Sequence, residues 1–483
     1  MQTPDFPLWA SALAGPMDKL RGQLALGLHQ CEALFGRWIP AWRLSPQDEG
    51  AHSRHRRWSL RLTFWTFFWQ VAQAGAACRE AIRQVQSLCQ RLGLPLPPDE
   101  TSPYCQARSN LPLERLDEIS DGLVREADEG IVARDLWCGL RVQVLDGTTV
   151  TLPDTPENQE AFPQLTSQRP GCGFPIVRVV ALFSLATGLL TAWATGRWRQ
   201  HELAVWQTLW DHLRPGEVLL GDRGFGVWAV LAQCVARGAQ GVFRTKRKIN
   251  FRQGQRLGPE DRLVSWPKPQ QCPRYLTREQ WAALPPVLTL RVVRCRLQRK
   301  GFRNRQVILV TTLRDPQAYP LAALGELYYR RWEVELGLRN LKTTLQMEHL
   351  SCKTPANVER ELRLHFLVHN LVRRLMLEAA RQQRAPWGRI SFAGALGAAR
   401  RYGEAMLQVS SARQRQRLMA ELLRVLADDP VPDRPGRREP RARKRRPKPY
   451  PLLTCHRHRY KEVPHPSKYW NASVRKRRDA KNH

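Results

Sequence analysis

Four residues that could take part in chemistry recur at helical spacing between positions 321 and 345. They lie 3, 4 and 7 positions apart, in the order Tyr328, Arg331, Glu335 and Lys342. At about 100° per residue, one α-helix would place all four within an arc of about 60°. An apolar stripe runs beside this arc and comprises Leu327, Val334, Leu338, Leu341 and Leu345. The pattern predicts a single helix over 321–345 that buries its leucines and presents an aromatic ring, two cations and a carboxylate along one edge.

Two aspartates in strand-like segments could join Glu335. The alternating run 140–146 ends at Asp146, and the short apolar run 218–222 ends at Asp222, with a glycine next to each. We expect both aspartates at the ends of strands in an open sheet, which is where functional sites gather. Each aspartate alone is also typical of a turn, and the Asp-Gly pair at 146–147 would suit one well.

A cluster of three carboxylates repels itself and is stable mainly when it binds hard divalent cations. Asp146, Asp222 and Glu335 therefore predict a two-metal site for phosphoryl transfer. In such a site one ion activates a water or a 3′-hydroxyl group, and the other stabilises the leaving oxygen. The alternative for the helix edge is a solvated face with i,i+4 ion pairs, which is common on helices in general.

The residues resemble the signature of bacterial DDE transposases of the insertion-sequence-four family, Tyr-x2-Arg-x3-Glu-x6-Lys. The segment 328–342 reads YYRRWEVELGLRNLK and contains the whole signature. Asp146, in VLDGTTV, and Asp222, in LLGDRGFG, are similar to the first and second acids of that family. The resemblance covers roughly residues 140–380 and includes a β-rich insertion between the second aspartate and the glutamate.

Several expectations follow from this resemblance. It implies an RNase H-like core in which Asp146, Asp222 and Glu335 bind two Mg²⁺ or Mn²⁺ ions. Such an enzyme cuts the transposon ends by water attack and joins the freed 3′-hydroxyl to target DNA. The resemblance also implies that the remaining signature residues contact DNA near the cleaved end; they are Tyr328, Arg331 and Lys342. The expected partner is double-stranded DNA, as terminal inverted repeats and as target, bound by a homodimer in a synaptic complex.

Some relatives stack a flipped base on a tryptophan in the insertion, shortly before the glutamate. The insertion of this chain has Trp266 and Trp281, both well upstream of Glu335. We expect a structural role for each and assign neither to base flipping.

The elements needed to position these residues predict an α/β protein. The order strand, strand, strand, helix, strand, helix, strand indicates a mixed sheet that opens with a hairpin and ends in parallel units. We expect an RNase H-like core with flanking helices, interrupted by a β-rich insertion and joined to helical N- and C-terminal regions. The predicted segments are a helical DNA-binding domain (1–125), the first part of the core (126–247), the insertion with a return strand (248–313), the glutamate helix with C-terminal helices (314–427) and a basic, disordered tail (428–483).

The net charge of the chain favours a polyanionic partner. The 483 residues contain 77 Lys and Arg against 43 Asp and Glu, a net charge of +34. The tail 434–483 carries +15 of this, so the rest of the chain is basic as well. Nucleic acid is the commonest partner of such a protein. The run 441–448 suits either DNA contact through counterion release or a solubilising tail.

Other features narrow the class of protein. The eleven cysteines are scattered and form no Cys-x2-Cys pair, which argues against a zinc ribbon and suits reduced thiols in a cytosol. The N-terminus lacks the pattern of a signal peptide. The uncharged runs 62–78 and 179–196 are interrupted by polar or turn residues, so we expect buried core rather than membrane spans.

Three alternatives to a transposase remain open at this point. An RNase H-like nuclease could cut DNA without joining it, and a non-catalytic DNA-binding protein could descend from such an enzyme. The complete signature favours joining over the first, and the presence of all three acids favours catalysis over the second. A glycosidase with paired carboxylates would not require so basic a chain.

Overall fold

The computed structural model describes residues 29–45, 58–245, 250–296, 306–383, 387–432, 452–456 and 459. A mixed β-sheet runs through this part of the chain, with helices on both faces. Within the described ranges no helix is long and apolar enough to cross a membrane. The basic run 441–448, which suits either DNA contact or a solubilising tail, lies outside the described residues.

Nine strands form the sheet. They are β1 (Val142–Thr151), β2 (Ile176–Ser184), β3 (Leu190–Arg197), β4 (Val218–Gly221), β5 (Gln240–Arg244), β6 (Gln255–Gly258), β7 (Asp261–Pro267), β8 (Val287–Arg296) and β9 (Gln306–Thr311). The order across the sheet is β3-β2-β1-β4-β5-β9-β8-β7-β6.

Fourteen α-helices are described. They are α1 (Gln30–Phe35), α2 (Leu60–Ala72), α3 (Cys78–Leu92), α4 (Ser102–Ser109), α5 (Leu113–Glu129), α6 (Pro156–Ala161), α7 (Glu202–Trp206), α8 (Trp228–Ala236), α9 (Arg278–Ala282), α10 (Leu321–Arg330), α11 (Trp332–Arg339), α12 (Pro355–Gln382), α13 (Phe392–Gln408) and α14 (Ala412–Ala427). A short π-helical turn, Asn340–Thr344, follows α11.

The first five strands have the predicted mixed topology. β1, β2 and β3 form an antiparallel meander, and a tight turn through Gly188, with a φ of +71°, joins the last two. β4 and β5 then add in parallel to β1, each after a helical crossover. Hence the sequence pattern of a hairpin followed by parallel units is confirmed. The α/β class, with a large mixed sheet and flanking helices, is confirmed with it.

The prediction that the first strand ends at Asp146 is wrong. β1 continues to Thr151, and Asp146 lies near its middle, opposite Ala181 of β2. The parallel pairing with β4 stops at Leu145, however, because β4 is only four residues long and ends at Gly221. Asp146 therefore lies where one edge of β1 loses its partner while the other edge stays paired.

The insertion contains more strands than the sequence indicated. The sequence predicts one strand pair here, 287–297 and 307–313, joined by a basic turn at 299–305. β8 and β9 match that pair, and β7 and β6 extend the sheet beyond them. β6 is exposed or half-buried along its whole length, so no apolar alternation marks it in the sequence. β9 also pairs with β5, so the insertion and the core share one continuous sheet. The predicted basic turn at 299–305 lies outside the described residues.

Two hydrophobic cores cover the two faces of the sheet. On one face, the N-terminal helices α1–α5 share a single core with α10–α14. The uncharged run after residue 62 lies in this core as predicted, with Phe64, Trp65 and Phe68 almost fully buried. The other face is covered by α7 and α8, and by the aromatic residues of the insertion. Trp266 and Trp281 are both buried there, as expected for structural tryptophans.

The single helix predicted over 321–345 is divided in the structure. α10 ends at Arg330, α11 begins at Trp332, and the last turn is π-helical. Arg331 keeps helical backbone angles, with φ −50° and ψ −30°, and its carbonyl accepts a tighter, i+3 hydrogen bond from Val334 N–H at 3.1 Å. The chain therefore continues in nearly the same direction, and the apolar stripe survives. All five of its members are buried: Leu327, Val334, Leu338, Leu341 and Leu345.

Candidate active site

Asp146 and Asp222 come from adjacent parallel strands. Leu145 lies opposite Gly221 in the register of β1 and β4, and each aspartate is the next residue along its chain. The Gly147 N–H donates to Asp146 Oδ1 at 2.8 Å, and the Gly224 N–H donates to Asp222 Oδ1 at 2.6 Å. These backbone donors fix one oxygen of each carboxylate.

Glu335 reaches the same face of the sheet from α11. Neighbouring residues of a strand face opposite sides, and Asp146 shares the side of Val144, which packs in the core with Val334 and Leu338 of α11. Gly337 allows the helix to approach closely, because a Cβ there would lie 3.2 Å from the ring of Phe183.

Arg331 lies between two of the acids. Its Nη2 forms an ion pair with Glu335, and its Nη1 lies 3.9 Å from Asp146 Oδ2. Its guanidinium carbon is 5.7 Å from the centre of the Tyr328 ring. The Nε–H is buried and has no hydrogen-bond partner among the described residues. The guanidinium thus balances the acids and keeps one donor unused.

The charges of Asp222 and Glu335 affect the pKa of Asp146. Burial raises the pKa of Asp146 to about 6, and the negative charges of Asp222 and Glu335 add to that rise. The Gly147 N–H and Arg331 act in the opposite direction but do not cancel it. The pKa of the Tyr328 hydroxyl is raised by burial, although Arg331 and Arg244 lower it. Charges on these side chains therefore influence one another across a single small region.

The donor set fits a divalent cation in its chemistry. Three carboxylates are the hard oxygen ligands that Mg²⁺ and Mn²⁺ prefer, and their mutual repulsion favours a bound cation. As they stand, however, no group of three His, Cys, Asp or Glu side chains in the described ranges is arranged to hold a metal ion. Arg331 supplies the positive charge between Asp146 and Glu335 in this arrangement.

Lys342 lies farther along the chain, in the π-helical turn. Its Nζ is 3.7 Å from Glu348 Oε1, and this is the ion pair that the structure gives it. The structure thus brings together three of the four residues in the predicted line, Tyr328, Arg331 and Glu335. Lys342 instead pairs with Glu348 in a later segment.

Two further charged residues lie beside the backbone next to the aspartates, and no motif in the sequence marks them. Arg244 follows Phe243, which pairs with Gly221, so it lies beside Asp222 at the end of β5. Glu202 accepts a hydrogen bond of 2.6 Å from Arg178 and approaches the backbone of Gly147 so closely that a Cβ there would lie 2.8 Å from its Oε1. Only the strand register reveals Arg244, and only the packing of α7 on the sheet reveals Glu202.

Comparison with known proteins identifies the family. The model of the transposase DDE domain matches residues 137–371, which include all three acids. The transposase InsG for insertion sequence element IS4, from Escherichia coli strain K12, is 31% identical over 324 residues, or 65% of this chain and 70% of the relative. The chain belongs to the IS4-type bacterial DDE transposases.

Two further comparisons with the transposase give weaker similarity. The putative transposase InsZ of Escherichia coli strain K12 is 29% identical over 93 residues, 19% of this chain and 31% of the relative. Among solved structures, a piggyBac transposase synaptic complex with hairpin DNA aligns with a TM-score of 0.37 and 10% identity, over 86% of this chain and 85% of that one. The resemblance inferred from the signature is thus confirmed by the family model and by InsG, and the protein is an enzyme of the DDE transposase class.

Proposed function

We propose that this transposase performs cut-and-paste DNA transposition, with metal-dependent cleavage at the transposon ends followed by 3′-hydroxyl strand transfer into target DNA. The observation that carries the proposal is the mutual influence of the three acids. Burial and the charges of Asp222 and Glu335 raise the pKa of Asp146, and Arg331 lies against both Asp146 and Glu335. A buried carboxylate whose pKa is raised by neighbouring acids is typical of functional sites, including those for phosphoryl transfer.

We assign the catalytic, metal-binding role to Asp146, Asp222 and Glu335. When bound, two Mg²⁺ or Mn²⁺ ions would supply the positive charge that activates the attacking hydroxyl and stabilises the leaving oxygen. The protein's own contribution is orientation. The Gly147 and Gly224 N–H groups hold one oxygen of each aspartate, and the close approach of α11 at Gly337 brings Glu335 over β1.

DNA contact is assigned to Tyr328, Arg331 and Lys342. The free Nε–H of Arg331 is a donor for a phosphate oxygen, and a guanidinium suits that geometry. A phosphate next to the scissile bond would draw Arg331 away from Asp146 and Glu335 as the cation replaces it. Tyr328 supports the guanidinium from the side, and Lys342 would contact a phosphate farther along the strand.

The rest of the molecule supports a DNA partner and an RNase H-like core. The core proposal rests on the strand order β3-β2-β1-β4-β5, with one acid on β1 and another directly after β4. The N-terminal helices are proposed to bind the terminal inverted repeats, because α3 exposes Arg79, Arg83 and Arg91. We propose a homodimer that pairs two DNA ends, as strand transfer of both ends requires.

The test uses the purified full-length protein with Mg²⁺, a plasmid carrying the two ends of the element, and a target plasmid. Nicked ends together with integrated product are the expected result. Cleavage without integrated product would reassign the protein to nucleases that do not join DNA. Binding without cleavage would indicate a DNA-binding protein that has lost catalysis.

A matched pair of variants checks the acid assignment. Glu335→Gln should reduce cleavage by about three orders of magnitude or more, because it removes a proposed metal ligand. Glu333→Gln on the same helix is the control, since Glu333 pairs with Arg330 at 2.9 Å and has no proposed role in cleavage. Equal activity of the two variants would refute the assignment of Glu335.

A further inference from the structure

Three cysteine side chains lie around a buried arginine, Arg108 of α4, outside the acid site. Arg108 is 7% exposed, and its Nη1 lies 3.2 Å from Cys78 Sγ. Its Nη2 donates to Cys352 Sγ at 2.7 Å. Cys105 completes the group, with its sulfur 3.9 Å from that of Cys78. We call Cys78, Cys105, Cys352 and Arg108 the thiol cluster.

The buried charge of Arg108 needs an anion. No carboxylate forms an ion pair with it among the described residues. The acid that acts on it electrostatically, Glu361, is already engaged by the N–H groups of Ser351 and Cys352 at 3.0 and 2.8 Å. Burying a guanidinium without a counter-charge is costly. A thiolate within the thiol cluster is therefore the anion that fits.

Cys78 is the thiol best placed to ionise. It is the first residue of α3, a helix of 15 residues whose N-terminus carries partial positive charge. A hydrogen bond from the Cys105 thiol and the charge of Arg108 hold the pKa of Cys78 well below its usual range, although burial opposes them. The pKa of Cys352 is instead raised by burial and by the negative charge of Glu361.

The pair is also accessible. Cys105 is exposed, and both Cys78 and Cys105 line a cavity of about 450 Å³ between the N-terminal helices and the segment that follows the π-helical turn. A small oxidant can enter a space of that size. Side-chain rotation can close the gap between the two sulfurs to the length of an S–S bond, about 2.05 Å.

We propose that Cys78 and Cys105 form a peroxide-responsive dithiol within this transposase. The Cys78 thiolate attacks one oxygen of hydrogen peroxide, the O–O bond breaks, and the hydroxide released takes up a proton to become water. The resulting sulfenic acid of Cys78 is attacked by the Cys105 sulfur, whose proton leaves with the hydroxyl group as a second water. Both thiols are oxidised to one disulfide, and the peroxide is reduced to two waters.

Oxidation has a physical consequence for the fold. The disulfide removes the negative charge that faces Arg108, so a buried guanidinium is left with neutral partners. We expect the melting temperature to fall on oxidation and to return when a dithiol reductant restores the thiolate.

The test exposes the reduced full-length protein to hydrogen peroxide at neutral pH, blocks remaining thiols and maps disulfides by mass spectrometry. The expected product joins Cys78 to Cys105. Before oxidation, alkylation of Cys78 should be about tenfold faster than that of Cys138, an exposed thiol whose pKa is raised. Disulfides that join other cysteines, or alkylation of Cys78 no faster than that of Cys138, would overturn the proposal.

Two variants separate the chemistry from general effects on folding. Cys105→Ser changes an exposed residue and should stop oxidation at the sulfenic acid of Cys78, which dimedone labels. Cys138→Ser is the matched control and should leave formation of the disulfide unchanged. Dimedone labelling that is absent from Cys105→Ser would contradict the assigned order of attack.

Discussion

The guanidinium of Arg331 lies 3.9 Å from the carboxylate of Asp146, a residue 185 positions earlier in the chain. The same guanidinium pairs with Glu335, one helical turn away. The side chain of Arg331 therefore connects β1 to the helix that carries Glu335. The signature residue that the sequence associates with DNA is, in this arrangement, the internal counter-ion of the acids.

Replacing Asp146 with asparagine should stabilise the metal-free protein. Its pKa is raised from 3.8 to about 6, so the charged form is disfavoured in the folded state. Since 1 pKa unit corresponds to about 1.4 kcal/mol, Asp146→Asn should gain about 1–3 kcal/mol at pH 7, with Arg331 and partial exposure limiting the gain. Chemical denaturation in a chelating buffer measures this.

The sign of the pH dependence provides the control. A carboxyl group whose folded pKa exceeds its unfolded pKa loses stabilising free energy as the pH rises through the interval between them. The gain in unfolding free energy from Asp146→Asn should therefore be near zero at about pH 4, increase up to about pH 6 and stay constant above it. A variant less stable than the wild type at pH 7 would show that the carboxylate is stabilising.

Removing Arg331 should make the stability of the protein depend more strongly on a bound metal ion. Without the guanidinium, Asp146, Asp222 and Glu335 repel one another unscreened, so the metal-free Arg331→Gln protein should melt at a lower temperature. Its affinity for Mn²⁺ should rise by about tenfold, because the cation no longer competes with a resident charge. Calorimetric titration and melting curves with Mn²⁺ measure both effects.

Arg330→Gln is the matched control for that experiment. Arg330 precedes Arg331, pairs with Glu333 at 2.9 Å and donates to the carbonyl of Leu185 at 3.3 Å. Its loss should weaken packing without changing the response to Mn²⁺. An identical response of both variants would indicate that Arg331 does not screen the acids.

The buried ion pair between Arg291 and Asp261, in the insertion, should contribute far more to the free energy of unfolding than the exposed pair formed by the neighbouring Glu260. Arg291 is fully buried and donates to both oxygens of Asp261 at 2.9 and 2.6 Å. Asp261→Ala leaves that charge unpaired and should cost about 3–5 kcal/mol of unfolding free energy. Glu260→Ala breaks a pair with Arg294, in which both side chains are about one-third exposed, and should cost at most about 1 kcal/mol. Comparable losses in the two variants would contradict this assignment.

Three buried histidines should make the protein sensitive to acid. Burial lowers the pKa of His29 to about 3, of His365 to about 4 and of His369 to about 3. A base with a depressed folded pKa is neutral in the fold, so stability is lost as the pH falls below about 6.5, the usual value. Each histidine contributes about 1.4 kcal/mol per pH unit to that loss.

One substitution isolates part of this acid response. Between pH 6 and pH 4, His369→Gln should reduce the slope of unfolding free energy against pH by the contribution of one proton, about 1.4 kcal/mol per pH unit. The wild type provides the comparison and should show the full slope. Equal slopes in the variant and the wild type would mean that His369 is protonated in the folded protein.

Much of the fold was predictable because apolar periodicity records burial directly. The stripe from Leu327 to Leu345 and the apolar run of β4 are both buried as predicted. The ion pair between Arg331 and Glu335 is the i,i+4 pairing that the alternative interpretation of the helix edge expects, since residues four apart on a helix are neighbours.

The remaining features depend on contacts that sequence spacing does not encode. β1 continues past Asp146 because β2 pairs with it as far as Thr151, and that pairing is tertiary. The contact between Arg331 and Asp146, and the thiol cluster around Arg108, join segments far apart in the chain. β6 has a polar sequence and is a strand only because β7 offers it a hydrogen-bonding edge.

The pairing of β9 with β5 has a mechanical consequence. Backbone hydrogen bonds run without a break from β3 to β6, so the insertion and the strands that carry Asp146 and Asp222 form one plate. Among the described residues, a plate of this kind can twist, but the strand pairing leaves no joint between its halves. A displacement of β6 and β7 at the far edge would therefore reach the acids as a twist of β4 against β1.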